Sequence, residues 1–159
     1  MAKKENKTNA MRILDKNKIP YRIKTYECDE FIDGIHIADK NGDPYDRSFK
    51  TLVTVGKTGG YYVFVIPIDR EIDLKKAAKE VGEKSVEMIR VKDINAVTGY
   101  IRGGCTPLGM KKLYPTVIHN SAKDFDEIII SGGRLGIQIL LNANDLVKMV
   151  DGKFADVIK

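Results

Sequence analysis

The stretch TGYIRGGCTPLG, residues 98–109, is the part of the chain whose residue types most suggest chemistry. Glycine adopts backbone dihedrals that other residues avoid, and it lets a ligand approach the main chain closely. The same glycines and the proline would suit a tight turn equally well. The stretch therefore predicts either a turn or a loop whose main-chain groups contact a negatively charged or polarised ligand.

Few side chains in the sequence are suited to act as a base or a nucleophile. His36 and His119 are the only histidines, and His36 is close in sequence to Asp33 and Asp39. These three residues could hold a metal, but acidic and imidazole groups often share a loop, so a metal site is not favoured. A nucleophile pair of Cys105 and His119 is a further alternative. A small, at least half-buried cysteine in a turn is favoured instead.

Lys50 and the SGGR segment each have a structural and a functional interpretation. Lys50 opens a strand on the same face as Leu52 and Thr54, and from the residues alone a solvated lysine at the sheet end is favoured. In a cleft, the same lysine would offer a positive charge to a phosphate or an oxyanion. Residues 131–134 are typical of a hairpin turn. Alternatively, their backbone amides and the Ser131 hydroxyl face a ligand.

Several motifs of common enzyme classes are missing from the sequence. It contains no GxxxxGK[ST] phosphate loop and no GxGxxG opening a βαβ unit. It also contains no HExxH and no paired CxxC. These absences argue against the nucleotide-binding and zinc-dependent classes that carry those motifs.

The balance of charges is mildly basic. The chain has 27 Lys+Arg against 22 Asp+Glu, a formal net charge of +5. A basic surface suits a partner that carries phosphates, although many proteins without such a partner are as basic. Two lysine clusters are predicted to be solvated faces that a nucleic-acid backbone could contact. They comprise Lys75, Lys76, Lys79, Lys111 and Lys112.

Length and cysteine usage limit the class of protein further. At 159 residues the chain is long enough to bury a core as one domain over residues 1–159. Cys28 and Cys105 are its two cysteines, and their wide separation argues against a disulfide framework. The first residues include lysines but no apolar run, and no segment has the length of a membrane span. We expect a soluble, cytoplasmic protein.

Helices and strands alternate irregularly along the chain. Local signals predict helices from Thr8 to about Lys18, after Asp73 up to Gly82, from about Asp93 to before Gly99, and over about 143–150. Alternating or continuous apolar runs predict strands over residues 21–27, 48–55, 61–66, 115–120, 126–131 and 134–141. Residues 28–47 are predicted to form a long loop or a hairpin-like excursion. This order indicates an α+β protein built around a mixed sheet.

Six collinear stretches resemble the bacterial YbaK-type family of free-standing Cys-tRNA(Pro) deacylases, which is related to the editing domain of prolyl-tRNA synthetases. The resemblance implies a strongly twisted or barrel-like mixed sheet with surrounding helices. Any one stretch would be weak evidence, whereas six in the same order are strong. They are KTYECD (24–29), FKTLV (49–53), DLKKAAKEVGEKSVEM (73–88), TGYIRGGCTPLGMKKLYPTVI (98–118), IIISGGRLGIQILL (128–141) and DLVKMVDGKFADV (145–157).

The resemblance implies editing of mischarged tRNA in the cytoplasm. Prolyl-tRNA synthetase attaches cysteine to tRNA(Pro) by mistake, because the two amino acids are similar in volume. A family member removes that cysteine in trans, without a metal or organic cofactor. The implied partners are mischarged tRNA(Pro) and, as an option, prolyl-tRNA synthetase, with no membrane or DNA partner. Two alternatives stay open: a deacylase for another small amino acid such as alanine, and a non-catalytic module that binds tRNA or a synthetase.

The resemblance also assigns site residues. Lys50 matches the family's essential lysine and, with Gly103 and Gly104, is expected to act in catalysis. In the family's proposed chemistry the substrate's own thiol attacks its ester carbonyl, so the enzyme supplies orientation and charge stabilisation and Cys105 is a bystander. The residues expected to contact substrate are Tyr26, Thr51, Cys105, Thr106, Pro107, Ser131, Gly132 and Gly133.

This chain departs from the family pattern at a few positions. Leu135 and Gln138 stand where the family usually carries a basic and then an acidic residue. Thr106 replaces the usual serine of the glycine loop, and residues 30–47 show little family character. Because of these departures, the amino acid that the protein removes is less well defined by the resemblance than its fold or its reaction class.

Overall fold

Two β-sheets form the centre of the structure, a computed structural model that describes residues 7–28 and 30–159. Five α-helices and short 3-10 turns surround the sheets. The helices are α1 (Asn9–Lys16), α2 (Gly34–Asn41), α3 (Leu74–Val81), α4 (Ile94–Thr98) and α5 (Ala143–Met149). The strands are β1 (Arg22–Thr25), β2 (Phe49–Gly56), β3 (Tyr61–Pro67), β4 (Val86–Met88), β5 (Thr116–His119), β6 (Ile128–Ser131), β7 (Ile137–Leu141) and β8 (Lys153–Ala155).

The two sheets differ in the direction of their strands. The smaller sheet has the order β1-β7-β6 and is antiparallel throughout. The larger has the order β4-β2-β3-β5-β8, in which β5 is parallel to both of its neighbours. A parallel bridge between Ser48 and Ile129 joins the start of β2 to β6, so the two sheets wrap around a shared core. The predicted α+β class with a barrel-like mixed sheet is confirmed.

Strand β3 is buried on both of its faces, as its continuous apolar sequence predicts. Its side chains alternate between two clusters, because successive side chains of a strand point to opposite faces. Val63 and Val65 belong to the larger cluster, which lies between the sheets and includes the apolar faces of α1 and α5. Phe64 and Ile66 belong to a smaller cluster beneath α3.

The ends of the helices follow the local signals in the sequence. The Thr8 hydroxyl accepts a hydrogen bond from the N–H of Met11 at the start of α1. The Asp73 carboxylate accepts from the first N–H groups of α3, and Gly82 ends that helix at a φ of +73°. These caps satisfy backbone groups that a helix end otherwise leaves unpaired. The predicted positions of α1 and α3 are confirmed.

The prediction of a loop or hairpin-like excursion over residues 28–47 is wrong. This segment contains α2, which Asp33 caps by accepting from the N–H of His36 and which Gly42 ends at a φ of +72°. The Asn41-Gly42 pair therefore ends a helix rather than forming a hairpin turn. Only Ile37 and Ala38 of this helix are buried, so its apolar periodicity is too weak to be read from the sequence.

The two shortest strands, β4 and β8, were also not predicted from the sequence. Strands β4 and β8 have only three residues each, which is too few to show alternation between apolar and polar residues.

Within residues 7–28 and 30–159, none of the helices combines the length and the apolar character needed to cross a bilayer.

Candidate active site

A cavity of about 610 Å³ opens beside the first half of β2. Residues 49–53 of β2 form its floor, and residues 31–38, which run into α2, form one wall. The glycine-rich loop contributes Arg102, Gly103 and Cys105 to the lining. The hairpin of β6 and β7 adds Ser131 and Gln138. Several separate segments of the chain, which also include Tyr26 and residues 88–94, therefore meet around one pocket, which is the default form of a ligand site.

The edge of β2 is open where it lines the cavity. Strand β4 pairs only with the last three residues of β2, from Thr54 onward. Ile68 donates its N–H to the carbonyl of Ser48, so these two residues form a hydrogen-bonded pair. In an antiparallel ladder such pairs occur at every second residue, and the register with β3 therefore places the next ones at Lys50 and Leu52. Thr51 lies between two such pairs, so its main-chain N–H and C=O point away from β3 toward the cavity side. These groups are available to a ligand.

Lys50 enters the cavity rather than extending into solvent, which corrects the solvated interpretation favoured from the residues alone. Its half-buried side chain lines both the cavity and an adjoining groove that Glu71, Leu74 and Lys75 border. Burial lowers the pKa of the Lys50 amine, and nearby carboxylates such as Glu71 partly oppose that shift. Within the described residues no ion pair or hydrogen bond engages this amine. Lys50 is thus a cation available to a ligand.

Gly103 occupies a position that only glycine fits. Its φ of +85° is a conformation that residues with a side chain rarely adopt. A Cβ built there would lie 2.7 Å from Cδ2 of Leu135 and 3.0 Å from Cδ1 of Phe31. The loop backbone is therefore held close against its neighbours at the point where it lines the cavity.

Cys105 lines the cavity but is poorly suited to act as a nucleophile. Burial raises the pKa of its thiol to about 11, so the thiol is almost entirely protonated near pH 7. His119, its partner in the alternative pair, does not line the cavity. The Nδ1 atom of His119 instead accepts the N–H of Val157 at 3.4 Å. The structure therefore does not bring the proposed nucleophile pair together.

The family resemblance implies deacylation, and we expect Cys105→Ala to retain that activity within about threefold of the wild type, because a thiol that stays protonated is a poor nucleophile. The substitution removes a buried sulfur, so stability should fall by about 1 kcal/mol. Steady-state rates on a cysteinyl ester, measured beside the Cys28→Ala control, check this. Loss of activity in a folded Cys105→Ala protein would identify an enzyme thiol in the reaction.

The other predicted site residues divide into two groups. Tyr26 and Ser131 line the cavity together with Lys50, Thr51, Gly103 and Cys105. The remaining ones lie behind the wall, so their contact with substrate stays a prediction. They are Gly104, Thr106, Pro107, Gly132 and Gly133.

Two of the residues that do not line the cavity, Gly104 and Gly132, are engaged by the protein itself. A Cβ on Gly104 would lie 2.8 Å from Cα of Arg134, so the glycine loop packs against the hairpin backbone there. Gly132 donates its N–H to Ile137 and its carbonyl accepts from the Thr8 hydroxyl. The favoured interpretation of residues 131–134 as a hairpin turn is confirmed.

His36 pairs with Asp33 at the wall of the cavity. Its Nδ1 lies 2.8 Å from the carboxylate of Asp33, which also caps α2. Asp39, the third member of the sketched metal site, accepts a hydrogen bond from the hydroxyl of Tyr45. Across the ranges 7–28 and 30–159, no three His, Cys, Asp or Glu side chains are placed to hold a metal ion.

A buried polar network adjoins the cavity at Gln138. The Gln138 side chain donates from Nε2 to the carboxylate of Asp43 at 3.1 Å, and Asp43 also pairs with Lys24. Asn41 donates to Oε1 of Gln138 at 3.4 Å. The network ties the segment after α2 to strand β7. Sequence analysis singled out Gln138 only as a departure from the family pattern, and it gave no signal for Asp43.

Two further cavity residues were also missed. Phe31 and Arg102 line the cavity and contact each other, with Arg102 Cζ 3.9 Å from the centroid of the Phe31 ring. No sequence motif includes Phe31. Arg102 belongs to the glycine-rich stretch, which is the one signal that could have drawn attention to it.

Comparison with known proteins places this chain in a family. The model of the aminoacyl-tRNA editing domain matches residues 35–149. A curated relative from Enterococcus faecalis, EbsC, is named as a Cys-tRNA(Pro)/Cys-tRNA(Cys) deacylase. It is 46% identical over 162 residues, which cover 99% of this chain and 98% of the relative.

Solved structures share the fold at lower identity. One described as a trans-editing enzyme for prolyl-tRNA synthetase has a TM-score of 0.81 at 20% identity, covering 98% of this chain and 99% of that one. A hypothetical protein has a TM-score of 0.87 at 20% identity, covering 95% of this chain and 99% of that one.

The chain belongs to the aminoacyl-tRNA editing domain family. It is an aminoacyl-tRNA deacylase, and an aminoacyl-tRNA is its substrate. The ester bond between amino acid and tRNA is therefore the bond that the protein cleaves.

Proposed function

We propose that the protein removes cysteine in trans from mischarged Cys-tRNA(Pro), by a cleavage in which the substrate thiol is the nucleophile. The observation that carries this proposal is the half-buried amine of Lys50, which pairs with none of the described residues and lies beside the open edge of β2 at Thr51. Together these groups offer one cation and one main-chain N–H to an ester or a phosphate. The name of the 46% identical relative supports cysteine as the amino acid.

The proposed reaction needs no nucleophile from the protein. The substrate's Sγ attacks its own ester carbonyl carbon, and a β-thiolactone forms as the new C–S bond closes. The C–O bond to the terminal ribose breaks, and the thiol proton ends on the ribose oxygen that leaves. Since Cys105 is held protonated by burial, the protein's part is to orient the aminoacyl group and stabilise the developing negative charge.

Lys50 and the neighbouring backbone have distinct roles in this proposal. The Lys50 ammonium binds the terminal phosphate or sugar of the tRNA, or the developing oxyanion. The main-chain N–H of Thr51 and the backbone at Gly103 face the carbonyl across the cavity. Donors of this kind are effective because they are already in place and need no rearrangement during the reaction.

A panel of mischarged tRNAs tests the proposal directly. Deacylation rates would be measured on tRNA(Pro) that carries cysteine, alanine, serine or proline, with the protein in catalytic amounts. Preference for the cysteinyl ester supports the proposal, whereas preference for alanine identifies a different editing specificity.

The choice of tRNA is expected to depend little on this chain alone. The relative's name includes both Cys-tRNA(Pro) and Cys-tRNA(Cys), which suits an enzyme that recognises the aminoacyl end. We propose that prolyl-tRNA synthetase directs the protein to tRNA(Pro) and spares correctly charged Cys-tRNA(Cys).

Binding of tRNA should therefore weaken steeply as salt is added, because phosphate contacts by a basic chain of net charge +5 release counterions. The logarithm of Kd should rise linearly with the logarithm of salt concentration. Affinity for tRNA(Pro) and tRNA(Cys) transcripts should agree within about threefold. Filter binding over a salt series measures both. Strong discrimination by the isolated protein would remove the need for a synthetase partner.

A further inference from the structure

The guanidinium of Arg102 lies over an aromatic ring at the cavity. Its Cζ is 3.9 Å from the centroid of Phe31, which is well within the distance of a cation–π contact. By comparison, Arg47 lies 5.3 Å from the ring centroid of Phe125. The stack joins two distant segments, since Phe31 precedes α2 and Arg102 lies in the glycine-rich loop.

Both members of the stack are accessible. Phe31 is 41% exposed, which is high for an aromatic side chain that lines a cavity. Arg102 is exposed and forms no ion pair with any carboxylate in residues 7–28 and 30–159. One side of the guanidinium is therefore covered by the ring, while its charge has no carboxylate partner among those described residues.

The Phe31–Arg102 pair also packs against the next residue of the glycine-rich loop, Gly103. A Cβ built on Gly103 would lie 3.0 Å from Cδ1 of Phe31, so the ring packs against the backbone at that glycine. Phe31, Arg102 and Gly103 all line the same cavity as Lys50.

We propose that Arg102, held by Phe31, forms a platform on which the terminal adenine of the tRNA stacks. Nucleobases stack on arginine planes and aromatic rings wherever single-stranded nucleic acid is bound. The amino acid is esterified to the ribose of this same adenosine, so its base must lie near the cavity. This inference rests on the proposed aminoacyl-tRNA substrate and adds the residues that position its terminal nucleoside.

A base is a better match to this pair than a phosphate. A phosphate needs the N–H edge of arginine or the charge of a lysine, and neither requires an exposed aromatic ring behind the cation. A base needs a flat, rigid surface. Phe31 supplies that rigidity by keeping the guanidinium plane in one orientation, so Phe31 is the positioning residue and Arg102 the binding residue.

An acceptor-stem microhelix with 2-aminopurine in place of its terminal adenine tests the platform. Stacking quenches the fluorescence of this base, so the wild type should quench it on binding. Arg102→Ala and Arg102→Lys should both abolish the quenching, and Phe31→Leu should reduce it. Ile101→Ala is the matched control, because Ile101 is 52% exposed in the same loop but does not line the cavity.

Deacylation gives a second readout. Replacing the terminal adenine of a cysteinyl microhelix with an abasic site should lower kcat/KM about tenfold for the wild type. Arg102→Lys should cleave both substrates equally slowly. Quenching that survives in Arg102→Lys, or an abasic substrate cleaved as fast as the normal one, overturns the platform. A wild type that quenches 2-aminopurine but cleaves no cysteinyl ester would instead refute the proposed function and leave the platform standing.

Discussion

Lys50→Met should reduce deacylation of Cys-tRNA(Pro) by about 100-fold or more, while the protein stays folded and at least as stable as the wild type. The loss follows from removing a half-buried cation of the cavity that forms no ion pair within the described residues, since a preorganised charge of this kind contributes at least that much to catalysis. Methionine retains the length and the apolar stem of the side chain, so the packing around it is preserved. Single-turnover rates and thermal unfolding measure the two effects.

The stability of this variant follows from the sign of the pKa shift. Burial lowers the pKa of Lys50 in the folded protein, which means that the folded state disfavours the protonated amine relative to the unfolded chain. The resulting cost is present at every pH below the folded pKa and disappears above the unfolded one. Near pH 7, removing the amine therefore removes a cost.

Lys75→Met is the matched control for Lys50→Met. Lys75 borders the adjoining groove but does not line the cavity, so the change removes the same charge close to the site. Its rate should remain within a few-fold of the wild type. Near-full activity in Lys50→Met, or an equal loss in Lys75→Met, would show that Lys50 has no special role.

The second large effect concerns the amino acid on the tRNA. Cysteine should be released at least about 100-fold faster than 2-aminobutyrate, which has nearly the same size but a methyl group in place of the thiol. A thiol with an ordinary pKa of about 8.5 is already a few per cent ionised at pH 7, whereas the methyl group provides no nucleophile. Rates on tRNA(Pro) charged with each amino acid measure the difference.

The pH dependence gives an independent check of the same mechanism. The rate on the cysteinyl ester should rise with pH toward the thiol pKa of about 8.5 and then level off. The first product should be the thiolactone, which mass spectrometry of the quenched reaction detects. Equal rates on cysteine and 2-aminobutyrate would contradict a substrate nucleophile and favour attack by water.

The cavity depends on contacts that connect distant parts of the chain. Gln138 donates to Asp43 across 95 residues of sequence, and Phe31 meets Arg102 from another segment. No local pattern marks any of these pairs, because each side chain is ordinary in its own surroundings. The sequence also did not predict helix α2, whose first residues line the cavity, because this helix buries too few apolar side chains to show a helical period.

The sequence by itself determined the features that depend on near neighbours. The caps at Thr8 and Asp73 and the αL glycine at Gly82 define helix ends through local hydrogen bonds and dihedrals. The apolar run of β3 requires burial on both faces. The resemblance added Lys50 as the residue most important for function, which the residues alone did not favour.

Only the tertiary structure decided how these elements make a site. Strand β4 pairs with β2 back to Thr54, and Ile89 just beyond it donates to Val53, so the backbone at Thr51 is left open to the cavity. The Lys50 side chain lines the cavity from the same half of β2. Pairing between strands joins segments far apart in the chain and is governed by the packing of the whole core, so no local pattern in the sequence carries it.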